Sequence, residues 1–242
     1  MKYLEYKKIL NLTTIDELTG LYNRKNLTTL IRAQFSGKKY RQISILMIDI
    51  DHFKKMNDLY GRQICDKILA SFGKTIKNTI RDYDIAGRYN GELFLVLLPD
   101  TSHSDTLVVA NKIRNNFRNI EINSVYESIR ATASIGGASL ESCGNEIAHE
   151  LGLKNLEELF EMKGGSESIN WDQIIEKRIR ISESLINLAE KALIEAKRSY
   201  CLDCGHSSLR AEEFESGICS ACGGRSIESG RDKIILYPEQ AI

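Results

Sequence analysis

Proline is scarce in this chain, with two in 242 residues, and neither a low-complexity tract nor an internal repeat appears, so proline-rich linkers and repeat arrays are excluded. Net charge is missing as well. The 33 Lys plus Arg balance 33 Asp plus Glu, and no overall field draws the chain toward nucleic acid or anionic lipid. No segment approaches the roughly 20 apolar residues of a membrane span, and the opening MKYLEYKKIL lacks the apolar run of a signal peptide. The expectation is a cytoplasmic protein, kept reduced, without membrane contact. Its length suits one sizeable core with room for an insertion.

What is present is cysteine in a strict spacing. Cys201 and Cys204 lie in CLDCGH, Cys219 and Cys222 in CSACGG, each pair two residues apart and followed by glycine, with fourteen residues between the pairs. The glycines let backbone amides turn toward the thiolates, so two such knuckles supply the four sulfurs of a closed tetrahedral Zn²⁺ site in a short zinc ribbon. A closed site leaves no position for substrate, which makes the zinc structural. Disulfides or unpaired thiols are the alternative reading, and a reducing compartment disfavours the former. His206 reads as a bystander, Cys65 and Cys143 as ordinary buried or reduced thiols.

Periodicity outlines the rest. Residues 1 to 11 suit a short amphipathic helix, and a helix is expected from about Asn23 to Phe35. The run ISILMID, from Ile43 to Asp49, is nearly all apolar and ends in acid, as a buried central strand does. Through Lys77, the residues Phe53, Met56, Ile64, Ile68, Leu69, Phe72 and Ile76 recur at helical spacing. Two short runs, Tyr83 to Arg88 and Glu92 to Leu98, flank Asn90-Gly91, a hairpin signal. A helix near Ser104 to Phe117 and strands around Glu121 to Val125 and Ile129 to Leu140 follow. This succession predicts an α/β sandwich with a central mixed sheet flanked by helices.

Acidic residues gather where these strands end. Asp49 and Asp51 close the first strand, and Glu92 opens the second strand of the hairpin. Carboxylates so placed can converge on hard cations, which prefer oxygen ligands. Metals held there can clamp a phosphate for in-line displacement. A solvated turn acid is the bland alternative.

The segments DELTGLYNRKNL, LMIDIDHFKKMNDLYGRQICDKIL, RDYDIAGRYNGELFLVLLP, ATASIGGA and AEKALIEAK…GRDKIILY, in that order, resemble the successive motifs of the GGDEF diguanylate cyclase family. The resemblance implies a nucleotide-cyclase or palm-like fold. It implies two-metal nucleotidyl transfer that joins two GTP into cyclic di-GMP, one GTP per subunit of an antiparallel homodimer. Carried over residue by residue, Asp49 binds both Mg²⁺ (or Mn²⁺) ions, the carbonyl of Ile50 is a backbone ligand, and Glu92 is metal ligand and candidate base. Asn57 and Asp66 read the guanine edge. Backbone amides near His52 and Phe53 face the β and γ phosphates, while Lys197 and Arg231 neutralise the triphosphate. Arg81 and Asp84 match the R-x-x-D inhibitory site for cyclic di-GMP. Each has a structural alternative: Asn57 a helix-end residue, Asp66 a solvated helix charge, Arg81 with Asp84 a surface ion pair.

The signature itself departs from the family. It reads Asn90-Gly91-Glu92-Leu93-Phe94, so the first glycine is Asn and the fourth-position acid is Leu. Alternation aims Leu93 away from the side of the strand that Glu92 occupies. Arg62 and Cys65 stand where the family has His and Gly. A catalytically degenerate receptor or scaffold binding GTP or cyclic di-GMP is therefore the competing expectation.

Two insertions set the boundaries. A lead-in covers 1–12, the family-like domain 13–199 and 230–242, and the ribbon 200–229. A helical insertion runs from about Ser142 to Ile181, where Ile147, Leu151, Leu156, Leu159 and Phe160 suggest an amphipathic helix before Gly164-Gly165. From Trp171 the apolar pattern continues through Ile174, Ile181, Leu185, Leu188 and Ala192 into one long helix. Such a stripe predicts a dimerisation surface, with an extended scaffold as the alternative. The ribbon, with Arg210 among three glutamates in SSLRAEEFES, is expected to dock a protein partner rather than nucleic acid.

Overall fold

The computed structural model describes residues 14–36, 42–124, 128–157, 159, 171–201, 207–208, 227–228 and 232–237. In chain order these form α1 (Arg24–Phe35), β1 (Ile43–Ile50), α2 (Phe53–Tyr60), α3 (Arg62–Thr79), β2 (Ile85–Asn90), β3 (Leu93–Pro99), α4 (His103–Arg118), β4 (Ile122–Asn123) and β5 (Ser128–Ile129). They continue with β6 (Ala133–Ser139), α5 (Leu140–Glu150), α6 (Trp171–Ala196), β7 (Ser199–Cys201), β8 (Ser207–Ser208), β9 (Ile227–Glu228) and β10 (Ile234–Tyr237). The helix expected over residues 1 to 11, Phe160 and Gly164-Gly165 lie outside the described residues.

Five strands make the central sheet in the order β10-β6-β1-β3-β2. Among the described strands of this sheet, β10 and β6 pair parallel and the other neighbours antiparallel. Apolar residues on both faces of β1 place it at the centre, since a two-sided apolar strand is satisfied only when covered above and below. One core joins Leu46, Ile48, Ile50, Phe94 and Val96 to α3 and α4, where Phe72 packs edge-on to Phe94 at 4.8 Å between ring centroids. The opposite face joins Ile45, Met47, Leu95 and Leu97 to α1, α5 and α6. Side-chain caps start three of the helices: Asn23 accepts from Asn26 N, Ser102 from Asp105 N, and Ser139 from Ser142 N.

Several boundaries differ from expectation for local reasons. The stretch through Lys77 is two helices, because Gly61 at φ 77° ends α2 and precedes α3. Of the strand expected at Glu121 to Val125, Ile122–Asn123 pairs with Ser128–Ile129 outside the main sheet, and Val125 lies outside the described residues. Leu140 begins α5 rather than ending β6. The largest correction concerns the insertion. Its apolar residues Ile147, Leu156, Leu159, Ile174, Ile181 and Leu185 are buried in the second core of this same chain, so the stripe serves internal packing rather than an exposed dimerisation surface.

Helix α6 reaches the sheet closely. A Cβ on Gly136 of β6 would lie 2.0 Å from Leu193 N and 2.3 Å from Ala189 O, so only glycine allows the helix backbone this near. A second, three-stranded sheet in the order β8-β7-β9 ties 199–201 to 207–208 and 227–228.

Candidate functional site

The open end of β1 carries Asp49, and three neighbours converge there. Lys197, the first residue beyond α6, makes an ion pair with Asp49 Oδ1, with side chains 21% and 16% exposed, so the pair is largely withdrawn from solvent. Leu93 is the cross-strand partner of Asp49. Glu92 acts on Asp49 through its charge. Burial is the main influence that raises the Asp49 carboxyl above its ordinary value. The Lys197 ammonium opposes this, and the charges of Glu92 and Asp51 add to it.

Strand alternation misplaced the signature acids. Glu92 sits in the turn rather than in β3, where strict alternation does not apply, and β2 shifts register between Arg88 and Asn90. Leu93, the first residue of β3, shares the face of Asp49 because directly opposed residues in antiparallel strands point the same way. The missing fourth-position acid thus leaves an apolar side chain, packed on the second core, across from Asp49. Gly91 takes the positive φ of the turn, at 48°, and Asn90 does not. Arg88 braces the turn by donating from Nε to Gly91 O at 2.7 Å while its Nη1 meets Asp16 Oδ2 at 3.3 Å.

Asp51 does not join Asp49. Its carboxylate is buried and accepts from Thr132 Oγ1 at 2.7 Å, Ser134 Oγ at 2.7 Å and the backbone N–H of Asp232 at 3.0 Å. It staples β1 to β6 and to the turn before β10. Asp232 holds φ 56°, its carboxylate meets Arg118 Nη2 at 3.2 Å, and its carbonyl accepts from Arg114 Nη1 at 2.8 Å. Arg231, immediately before it, lies outside the described residues.

After β1 the chain turns through His52, at φ 55°, into α2. No side chain caps this helix start and its first turn carries no acid, so the N–H groups beginning at Phe53 form an electropositive end beside Asp49. The carbonyl of Ile50 belongs to the same strand end. Asn57 is exposed on α2 and Asp66 half-buried on α3, on either side of Gly61, with Arg62 Nε 4.0 Å from Asp66 Oδ2. Two carboxylates and a carbonyl are oxygen donors of the kind Mg²⁺ takes when phosphates complete its shell. Among the described residues no group of three or more His, Cys, Asp or Glu that could hold a metal ion converges.

Arg81 and Asp84 lie at the far end of β2 from the signature turn, about 20 Å away along a six-residue strand. They are not an exposed ion pair. Asp84 is buried, Arg81 N donates to Asp84 Oδ2 at 2.8 Å, and the Arg81 guanidinium donates to Tyr83 Oη at 2.9 Å. Beside them is a cavity of about 220 Å³ lined by Leu21, Tyr22, Lys77, Arg81 and Asp84. Burial raises the Asp84 carboxyl above 3.8, against the N–H and charge of Arg81, and Oδ1 has no hydrogen-bond partner. The folded state therefore holds this proton more tightly than the unfolded state, and the stability Asp84 permits at low pH is lost as pH rises through the folded value. Relative to Asp84→Asn, the wild-type urea midpoint is expected to fall as pH rises across and above the ordinary carboxylate range, from about pH 4. A constant difference across that range would refute the assignment.

Of the four knuckle cysteines, Cys201 closes β7, and Cys204, Cys219 and Cys222 lie outside the described residues, as does His206. Cys65 and Cys143 are buried free thiols. No helix among the described residues is long and apolar enough to cross a membrane.

The mixed sheet, its helical layers and the acid-tipped central strand define an α/β domain of the nucleotide-cyclase, palm-like class. Residues 13–163 match the family described as diguanylate cyclase, GGDEF domain, and the chain belongs to that family. Diguanylate cyclase A of Treponema denticola is 39% identical over 137 residues, covering 54% of this chain and 37% of that protein. Response regulator PleD of Caulobacter vibrioides is 37% identical over 134 residues, covering 52% of this chain and 29% of its own. The chain thus spans about a third of the length of these relatives. Among solved structures, the GGDEF domain of DgcB from Caulobacter crescentus, in complex with c-di-GMP, shares the fold at TM-score 0.57 and 19% identity, over 92% of this chain and 95% of that one. The diguanylate cyclase SiaD of Pseudomonas aeruginosa, in complex with its activator SiaC, does so at TM-score 0.57 and 23% identity, over 98% and 68%.

Proposed function

We propose that this chain binds GTP at the mouth of β1 and, as a homodimer, condenses two GTP into cyclic di-GMP. The observation that carries this reading is the meeting of Lys197, Asp49 and Glu92 beside the uncapped start of α2. Asp49, the Ile50 carbonyl and Glu92 would hold Mg²⁺ or Mn²⁺, which when bound stabilises negative charge on the phosphate and acidifies the attacking hydroxyl. The N–H groups at His52 and Phe53 take the β and γ phosphates, and Lys197 with Arg231 neutralises them. Asn57 donates from its amide and Asp66 accepts from N–H groups along the guanine edge, where a wrong base would leave polar groups unpaired. Glu92 takes the proton of the ribose 3′-hydroxyl as that oxygen bonds to the α-phosphorus of the other GTP. Pyrophosphate leaves.

A second reading rests on Leu93 opposite Asp49 and on Asn90. With one carboxylate fewer at the strand mouth, the domain binds nucleotide without turnover, and the cavity beside Arg81 and Asp84 receives cyclic di-GMP. In both readings the four cysteines hold structural Zn²⁺. The described strands β7, β8 and β9 draw together the ends of the segments that carry them, and the ribbon offers a docking surface to a protein partner.

The test is incubation of purified zinc-replete protein with GTP and Mg²⁺ or Mn²⁺, followed by product analysis. Cyclic di-GMP is expected. No dinucleotide at high protein concentration, with tight cyclic di-GMP binding retained, would establish the receptor reading instead.

A further inference from the structure

We propose that Lys197 is an internal stand-in for the divalent cation: without nucleotide its ammonium neutralises Asp49 and keeps metal alone out, and the site admits metal only when a triphosphate draws the ammonium away. This rests on the nucleotide-site reading above and adds an order of events to it.

Geometry gives Lys197 a fixed root and a mobile head. Its backbone N–H bonds to Leu193 O at 3.1 Å and Ile194 O at 3.2 Å, and the preceding Ala196 is fully buried. The helix behind it is seated on Gly136. From that root a flexible four-carbon stem carries three rotatable donors, so the head can change partner without moving the helix. Its present partner is the carboxylate best placed to meet a metal.

Electrostatics makes the two cations exclusive. Lys197 pairs directly with Asp49 Oδ1 in a contact largely withdrawn from solvent, so the ammonium occupies the oxygen that a metal would need. A divalent ion on Asp49 would lie against the ammonium, with two carboxylates to share among three positive charges. Metal without nucleotide must displace Lys197 from Asp49 and compete with it for Glu92, so the displaced ammonium needs a further anion. A triphosphate supplies that anion. Metal and nucleotide then raise each other's affinity by the same factor, as linkage requires.

The full chain is titrated with Mn²⁺ without nucleotide, following the electron paramagnetic resonance signal of the free aquo ion. Lys197→Gln is expected to bind Mn²⁺ about tenfold tighter than wild type, a coupling within the ordinary range. Lys197→Arg, which keeps the charge, should bind like wild type. A non-hydrolysable GTP analogue should tighten Mn²⁺ binding in the wild type and much less in Lys197→Gln. Equal Mn²⁺ affinities in wild type and Lys197→Gln, or equal enhancement by the analogue, would overturn the exchange while leaving nucleotide binding intact. Tight Mn²⁺ binding that survives Asp49→Asn in the Lys197→Gln background would place the ion elsewhere. The exchange and the reading of the site would then fall together.

Discussion

Glu92→Gln protein is expected to release no measurable dinucleotide from GTP, at least about a thousandfold below wild type, or about 4 kcal/mol of transition-state stabilisation. The substitution preserves size and leaves the backbone of the turn intact, held as it is by Arg88 from Nε to Gly91 O. What it removes is charge and basicity. Glu92 is one of two carboxylates at the strand mouth, and Leu93 leaves no third to compensate. Asp49 should titrate lower in the variant, because the Glu92 charge is among the influences that raise it. Carbon-13 NMR of the aspartate carboxyls measures that shift, and steady-state product analysis measures the rate. Retention of a tenth or more of wild-type turnover would remove Glu92 from the chemistry.

Gly136→Ala should be the most damaging single-methyl change in the described core. The new Cβ would stand 2.0 Å from Leu193 N and 2.3 Å from Ala189 O, both backbone atoms of α6 that no rotamer change can move. Overpacking of this kind costs about 3 kcal/mol or more, which lowers Tm by roughly 6 to 12 °C in a chain of this size. Gly137→Ala is the control. Its close neighbour at 2.5 Å is Leu236 Cδ2, a side-chain methyl that can swing aside, so the loss should be smaller. Equal Tm values for the two variants would show that the helix is not seated on Gly136. Because α6 roots Lys197, residual folded Gly136→Ala protein should also bind nucleotide more weakly.

Much of the sheet was legible in the sequence because its signals are local. The apolar run of β1, the Asn90-Gly91 turn and the Asn23 start of α1 each declare themselves within a few residues. The partners of Asp51 did not. Thr132, Ser134 and Asp232 are separated from it by 81, 83 and 181 positions, and only the folded chain brings them to one carboxylate. The same holds for the insertion, whose apolar stripe looks like an interface until α5 and α6 are seen to cover the second core. Alternation failed at Glu92 because a turn residue has no fixed face. The side chain of Leu93, expected to point away from the side of the strand that Glu92 occupies, is the one opposite Asp49.

The parallel pairing of β10 with β6 has a kinetic side. Ile135 waits about a hundred residues for Ile234, so this edge closes by one of the most distant pairings in the sheet and should be among the last to form. Until then β6 presents an unpaired apolar edge, the kind of surface on which growing or refolding chains join one another. Refolding yield should therefore fall with protein concentration more steeply than the finished sheet, with β10 in place on β6, would suggest.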